Sequence, residues 1–263
     1  MQNNFETIEF SLEGKVAHLR LNRPEYHNAL NRAMVLELTR FFREADSNDE
    51  IMVVTLSGNG KSFCSGADLL WMKNSVELSK DENLRETQEI SEMLEAIYQC
   101  SKVVIGMASG SIFGGGNGLL AVCDLAYCTH GCRFSLSETR IGLVAATIAP
   151  YLIRRIKQYV VKELVFTAIQ FDGIRAEAIG LVNRSFATFD EMSKNANEVI
   201  YDILQGGPES ILASKKLINL LSDYRFAEGL SKDCAKLLAD TRVSKEAQEG
   251  MLAFVEKRKP NWK

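Results

Sequence analysis

The chain opens with two short stretches of alternating apolar and polar residues, 5–10 and 16–21, separated by Glu13-Gly14-Lys15. Period-two alternation on either side of a glycine turn predicts a β-hairpin. Pro24 ends the second strand, and the period then changes. From 32 to 45, Met34, Leu36, Leu38, Phe41 and Phe42 form a broad stripe at helical spacing, with Asn28 or Asn31 placed to cap it. Residues 51–56 (IMVVTL) and 103–108 (VVIGMA) are short unbroken apolar runs, as in strands covered on both faces. Between them, 83–100 reads as a long amphipathic helix with Ile90, Met93, Leu94 and Ile97 on one side. A further strand is predicted at 125–128. Helices follow at 150–157 and 160–167, and another within 176–182 ends at Gly180. Beyond that the helical period stands alone, over 189–204, 208–221, 226–239 and 245–257. Strands interleaved with helices, then helices only, predict an α/β core over 1–200 and a helical region over 201–263.

Three stretches break these periods. Residues 109–124 (SGSIFGGGNGLLAVCD) place Gly114, Gly115, Gly116 and Gly118 within five positions, directly before a small apolar helix. Such a cluster is either a tight turn or a backbone brought close to a ligand, with unpaired N–H groups aimed at an oxygen that becomes anionic. Residues 63–69 (FCSGADL) form a second place of this kind and lead into another helix. In 134–142 (FSLSETRIG), Glu138 is flanked by Leu136, Ile141 and Leu143. A carboxyl held against apolar surface has a raised pKa and serves as a general acid or base; alternatively, Ser137-Glu138 starts a helix.

Composition removes several other chemistries. The chain has 263 residues, 46% apolar and 25% charged, which suits a folded core. A net charge of −3 gives no reason to expect nucleic acid. The polar, acidic N-terminus has no signal-peptide pattern, and no apolar run reaches the ~18–20 residues of a membrane span, so a cytoplasmic protein is expected. The six cysteines lie mostly in apolar surroundings, as reduced core thiols do. Cys128, His130 and Cys132 share a face of an extended strand, but zinc usually takes four ligands and no second pair lies near in sequence, so no metal is expected. Gly60-Lys61-Ser62 lacks the first glycine of a phosphate-binding loop, and Ser109 falls one place late for a serine nucleophile elbow.

The ordered motifs resemble those of the crotonase, or enoyl-CoA hydratase/isomerase, family. They are Leu21-Asn22-Arg23-Pro24-Glu25 with Asn28-Ala29-Leu30, Phe63 to Leu69, Phe113-Gly114-Gly115-Gly116 with Cys123-Asp124, Ser137-Glu138, residues 178–182, and Glu249-Gly250. The resemblance covers nearly the whole chain. It implies a spiral of ββα turns with a helical C-terminal trimerisation region, a homotrimer or hexamer, and an acyl-CoA thioester as substrate with no further cofactor. It implies an oxyanion hole from the N–H groups of Ala67 and Gly115, with Glu138 as acid/base. CoA contacts are expected from Arg23, Ala29, Ser65, Gly66, Ala67, Asp68, Leu69, Gly114, Gly115 and Lys257. Asp68 is also a candidate helix cap.

One departure stands out. Family hydratases carry a second glutamate two residues after the glycine run, and here that position is Gly118. Three functions follow. The combination of 67–72 (ADLLWM), the GGGNG run and 136–140 (LSETR) is similar to the methylglutaconyl-CoA and carboxygeranoyl-CoA hydratases, which implies hydration of a branched or carboxylated enoyl-CoA. There a substrate carboxylate, Arg140 or an ordered water replaces the missing glutamate. A lone Glu138 also suits a Δ3,Δ2-enoyl-CoA isomerase. The third is an inactive binding protein on the same fold.

Overall fold

The computed structural model describes residues 5–223 and 244–261. The predicted helix at 226–239, and Cys234 with it, lies outside them. The chain forms two units, residues 1–196 and 197–263, with the boundary inside one helix, α8 (Phe189–Gln205).

The first unit is built by repetition of one path. A strand enters a main sheet, a short extended segment follows in a second layer, and a helix leads back. The main sheet runs β1 (Ile8–Glu13), β2 (Val16–Leu21), β3 (Val53–Gly58), β4 (Val103–Ala108), β6 (Leu125–Thr129), β8 (Arg184–Phe186). β1 and β2 are the antiparallel hairpin; every later pair is parallel. Parallel neighbours need a crossover, and the intervening helices supply it. The second layer is made of very short pieces. Leu30 bridges Ala67, Cys64 bridges Ile112, β5 (Ser111–Phe113) pairs in parallel with β7 (Arg133–Ser135), and Phe134 bridges Phe171.

The helices follow the sequence closely. α1 (Arg32–Asp46) is capped by Asn31, whose side chain accepts from the Met34 N–H. Its buried stripe is Met34, Val35, Leu38, Phe41, Phe42 and Ala45, while Leu36, predicted to belong to it, faces outward. Leu36 lies two residues on from Met34, about 200° around the helix, which explains the correction. α2 (Leu69–Ser75) and α3 (Lys80–Gln99) follow, the latter started by a Ser79/Glu82 capping box. α4 (Gly115–Ala121) is completely buried past its first residue. α5 (Ala149–Arg155), α6 (Gln158–Thr167) and α7 (Gly173–Ala178) complete the first unit.

α4 is an improbable helix on propensity alone, since three of its seven residues are glycine. Its C-terminal end is clamped by Arg155. That half-buried guanidinium donates to the carbonyls of Ala121, Cys123, Asp124 and Leu181. Burial lowers the Arg155 pKa, and the cation is stabilised instead by carbonyl dipoles at a helix C-terminus.

In the second unit, α9 (Pro208–Asp223) receives the Glu246 carboxylate at its N-terminus, on the N–H groups of Glu209 and Ser210. Glu246 belongs to α10 (Lys245–Val255). Among the described residues no helix is long and apolar enough to cross a membrane.

Candidate active site

The residues singled out by sequence fall in the second layer and at its helix starts. Residues 64–68 run beside Leu30 as a parallel bridge. The Leu30 N–H donates to the Gly66 carbonyl at 2.7 Å, and the Asp68 N–H donates to the Leu30 carbonyl at 2.8 Å. In a parallel pair, the residue opposite Leu30 turns its own amide away from the partner. That residue is Ala67, and among the described residues its N–H has no partner. The Gly115 N–H, first in α4, has none either, as expected of a helix N-terminus.

The two donor segments lie against each other. A Cβ on Gly66, at φ +96°, would stand 3.1 Å from the Phe113 carbonyl oxygen and 3.9 Å from the Gly114 nitrogen. Gly114 is left-handed as well, at φ +47°. Close approach and positive φ together explain why both positions are glycine. The two unpaired N–H groups therefore stand on touching segments, the arrangement of an oxyanion hole.

Glu138 reaches the same point from β7. A Cβ on Gly114 would lie 3.4 Å from Glu138 Oε1. Glu138 opens a short 3-10 turn (Glu138–Ile141) three residues after β7 ends, so both readings of Ser137-Glu138 hold in part. Its Oε2 is buried and has no hydrogen-bond partner among the described residues. Burial raises its pKa, opposed in part by its own backbone N–H. The expected cause needs correction, however. Of the three apolar residues expected to cover it only Leu136 is buried, whereas Ile141 and Leu143 are exposed. Arg140, offered as a replacement for the missing glutamate, donates instead to the Thr167 carbonyl at 2.7 Å.

Gly118 lies one helical turn beyond Gly114. A Cβ there would come within 2.3 Å of Ile148 Cγ2, 3.2 Å of Ile148 Cβ and 3.5 Å of Leu94 Cδ2. The place of a second carboxylate is thus filled with hydrocarbon. Burial pushes the nearby Cys64 thiol up to about 12, which leaves it un-ionised and a poor nucleophile.

Arg23, through Asp68, holds the 64–68 loop from outside. Asp68 Oδ1 accepts from the Leu70 and Trp71 N–H groups and caps α2; Oδ2 pairs with Arg23 Nη2 at 2.9 Å. Burial raises the Asp68 pKa, but Arg23 and the two amides outweigh it and hold the carboxyl below its ordinary value. Arg23 also donates to the Ala29 carbonyl at 2.6 Å and lies 4.5 Å over the Tyr26 ring. Its charge is matched within the protein, so a strut for the 64–68 loop is its visible job. Ser65 lies within the loop and Leu69 directly after it, Leu69 at 80% exposure, and Ala29 is buried beside it. Lys257 is exposed and belongs to the second unit.

Sequence reasoning missed Ile148, Arg155 and the tie made by Asn117, whose amide donates to three carbonyls. The GGGNG run placed Asn117 in view, but nothing local revealed its partners.

The spiral of parallel turns defines a crotonase-type α/β fold, on which two unpaired amides and the Glu138 carboxyl converge. The chain matches the family model described as enoyl-CoA hydratase/isomerase over residues 11–263. A Thermus thermophilus protein, provisionally named an enoyl-CoA hydratase, is 30% identical, with 95% of this chain and 98% of that protein covered. The peroxisomal Delta(3,5)-Delta(2,4)-dienoyl-CoA isomerase of Arabidopsis thaliana is 29% identical over 98% of this chain and 96% of its own. The crystal structure of an enoyl-CoA hydratase from Shewanella pealeana superposes with a TM-score of 0.94 at 30% identity, covering 98% and 97% of the two chains. The chain belongs to the enoyl-CoA hydratase/isomerase family.

Proposed function

We propose that the protein is a single-carboxylate hydratase of a branched 2-enoyl-CoA, with Glu138 performing both proton transfers. The observation that carries this reading is the buried, unpartnered Glu138 Oε2 beside the hole, with position 118 closed by Ile148. The thioester oxygen sits on the Ala67 and Gly115 N–H groups. Glu138 takes a proton from water as the water oxygen bonds to Cβ. The Cα=Cβ pair moves onto the carbonyl and gives an enolate, whose charge the two amides stabilise. The enolate then collapses, and Cα takes the proton back from Glu138. The product is a 3-hydroxyacyl-CoA, and Glu138 is again a carboxylate. Each amide contributes on the order of 3 kcal/mol to such a step.

The acyl group is branched and of the methylglutaconyl or carboxygeranoyl kind, following the resemblance of the hole loops. Exposed Leu69 and Leu70 after the first donor, and Ile141, Leu143 and Val144 after Glu138, offer it apolar surface. CoA contacts fall to Ala29, Ser65, Gly66, Asp68, Leu69 and Gly114 of the first unit, with Arg23 as support, in a homotrimer or hexamer, as the resemblance implies. The hydrocarbon at Gly118 also favours a second reading, double-bond migration in a 3-enoyl-CoA. One base removes the C2 proton there and returns it to C4.

Turnover of purified protein on 3-methylglutaconyl-CoA and on a 3-enoyl-CoA separates the two. Water addition to the former supports the hydratase. Migration without hydration makes the protein an isomerase, and no turnover of either removes both readings.

A further inference from the structure

We propose that Asn117 is a positioning residue that fixes the hole and Glu138 relative to each other. The inference rests on the roles just proposed for the hole and Glu138. Asn117 is fully buried at the third position of α4. Its Nδ2 donates to the Ile112 carbonyl at 3.2 Å, the Gly114 carbonyl at 3.3 Å and the Ser135 carbonyl at 2.9 Å. These carbonyls come from three places that must agree for the chemistry to work. Ile112 lies in β5, which leads into the hole. Gly114 is the residue before the Gly115 donor, and a Cβ built on it would lie 3.4 Å from Glu138 Oε1. Ser135 ends β7, three residues before Glu138, and also accepts from the Gly114 N–H at 3.1 Å.

One amide thus ties the donor strand, the donor turn and the strand that carries the acid. The other half of the same side chain is left without a partner: Oδ1 is buried and accepts nothing among the described residues. An unmet buried acceptor works against stability. Three acceptors around Nδ2 also fix which end of the amide is nitrogen. The side chain is present for its donors, and the donors bridge the two reactive parts. Proton transfer between Glu138 and Cα needs both within a few tenths of an ångström, so loosening the tie affects the transition state more than binding.

The test compares wild type with Asn117→Ala and the milder Asn117→Ser, which keeps one hydroxyl donor. The readouts are kcat, KM and the carbonyl stretching frequency of a bound acyl-CoA. Polarisation in the hole lowers that frequency, and a residue of purely structural importance leaves it unmoved in whatever fraction folds. The expected result for Asn117→Ala is a fall in kcat of about 10- to 100-fold, with KM changed by no more than about threefold. The carbonyl band should move back toward its value in solution, with Asn117→Ser between the two. Wild-type kcat and band position in either folded variant overturn the proposal. A wild-type band that is itself unshifted overturns the oxyanion hole, and this inference with it. A shifted wild-type band that persists in the variants removes Asn117 alone.

Discussion

In the proposed reaction Glu138 supplies the acid/base, and Gly118 leaves no second carboxylate beside it. Burial raises the Glu138 pKa, so in the folded protein the proton leaves later than from a free carboxyl. In the proposed hydration it is the base form that accepts the water proton. The acid limb of kcat/KM should therefore lie above the ordinary carboxylate range near pH 4.5. The same shift has a stability side. A raised carboxyl pKa favours folding below the unfolded value, and that advantage is lost as pH rises through the folded value. Glu138→Gln should thus be inactive yet melt at or above wild type near pH 7, with the gain gone near pH 4. A melting point below wild type at pH 7 would show that the buried carboxylate has a partner. At Gly118, Gly118→Glu should misfold or lose stability, because its Cβ meets Ile148 Cγ2 at 2.3 Å. Pairing it with Ile148→Gly should recover folding, measured by thermal melting. A single variant as stable as wild type would contradict the steric account.

Among the elements, α4 depends most on its surroundings. Seven residues with three glycines cannot hold a helix by propensity. Asn117 holds its start and Arg155 its end. Arg155→Met removes the donors to four carbonyls. The expected cost in denaturant unfolding is about 1–3 kcal/mol, and a change within error would show that α4 stands without the clamp. The longer elements were legible in sequence because each buries one face. The 16–21 strand, the 32–45 stripe with its Asn31 cap, and the 103–108 strand appear where their periods placed them, while the first strand runs over Ile8–Glu13, three residues later than the 5–10 alternation. The second layer was not legible. Leu30, Cys64 and Ala67 enter it as single bridges, too short to show any period. The exposed Ile141 and Leu143 misled for a related reason. Apolar spacing around Glu138 looked like a covering, whereas two of the three residues in it face outward.

At the scale of the whole molecule, the repeated turn explains why residues 67, 115 and 138 meet although they lie far apart in sequence. Each successive turn delivers one short segment to the second layer, and neighbours in that layer are neighbours in turn order. The motifs could be read from sequence in order, and so could the family. The closure of position 118 could not, because Ile148 arrives from a loop thirty residues away. On the proposed function, Glu138 is the sole acid/base of this layer. Turnover of the hydratase substrate in D2O tests it most directly, with wild type and Glu138→Gln compared by mass and NMR analysis of the product. The expected wild-type product carries one deuterium at Cα, delivered from Glu138, and Glu138→Gln forms essentially none. Deuterated product from Glu138→Gln at the wild-type rate would contradict the account, because the proton would then travel through another group.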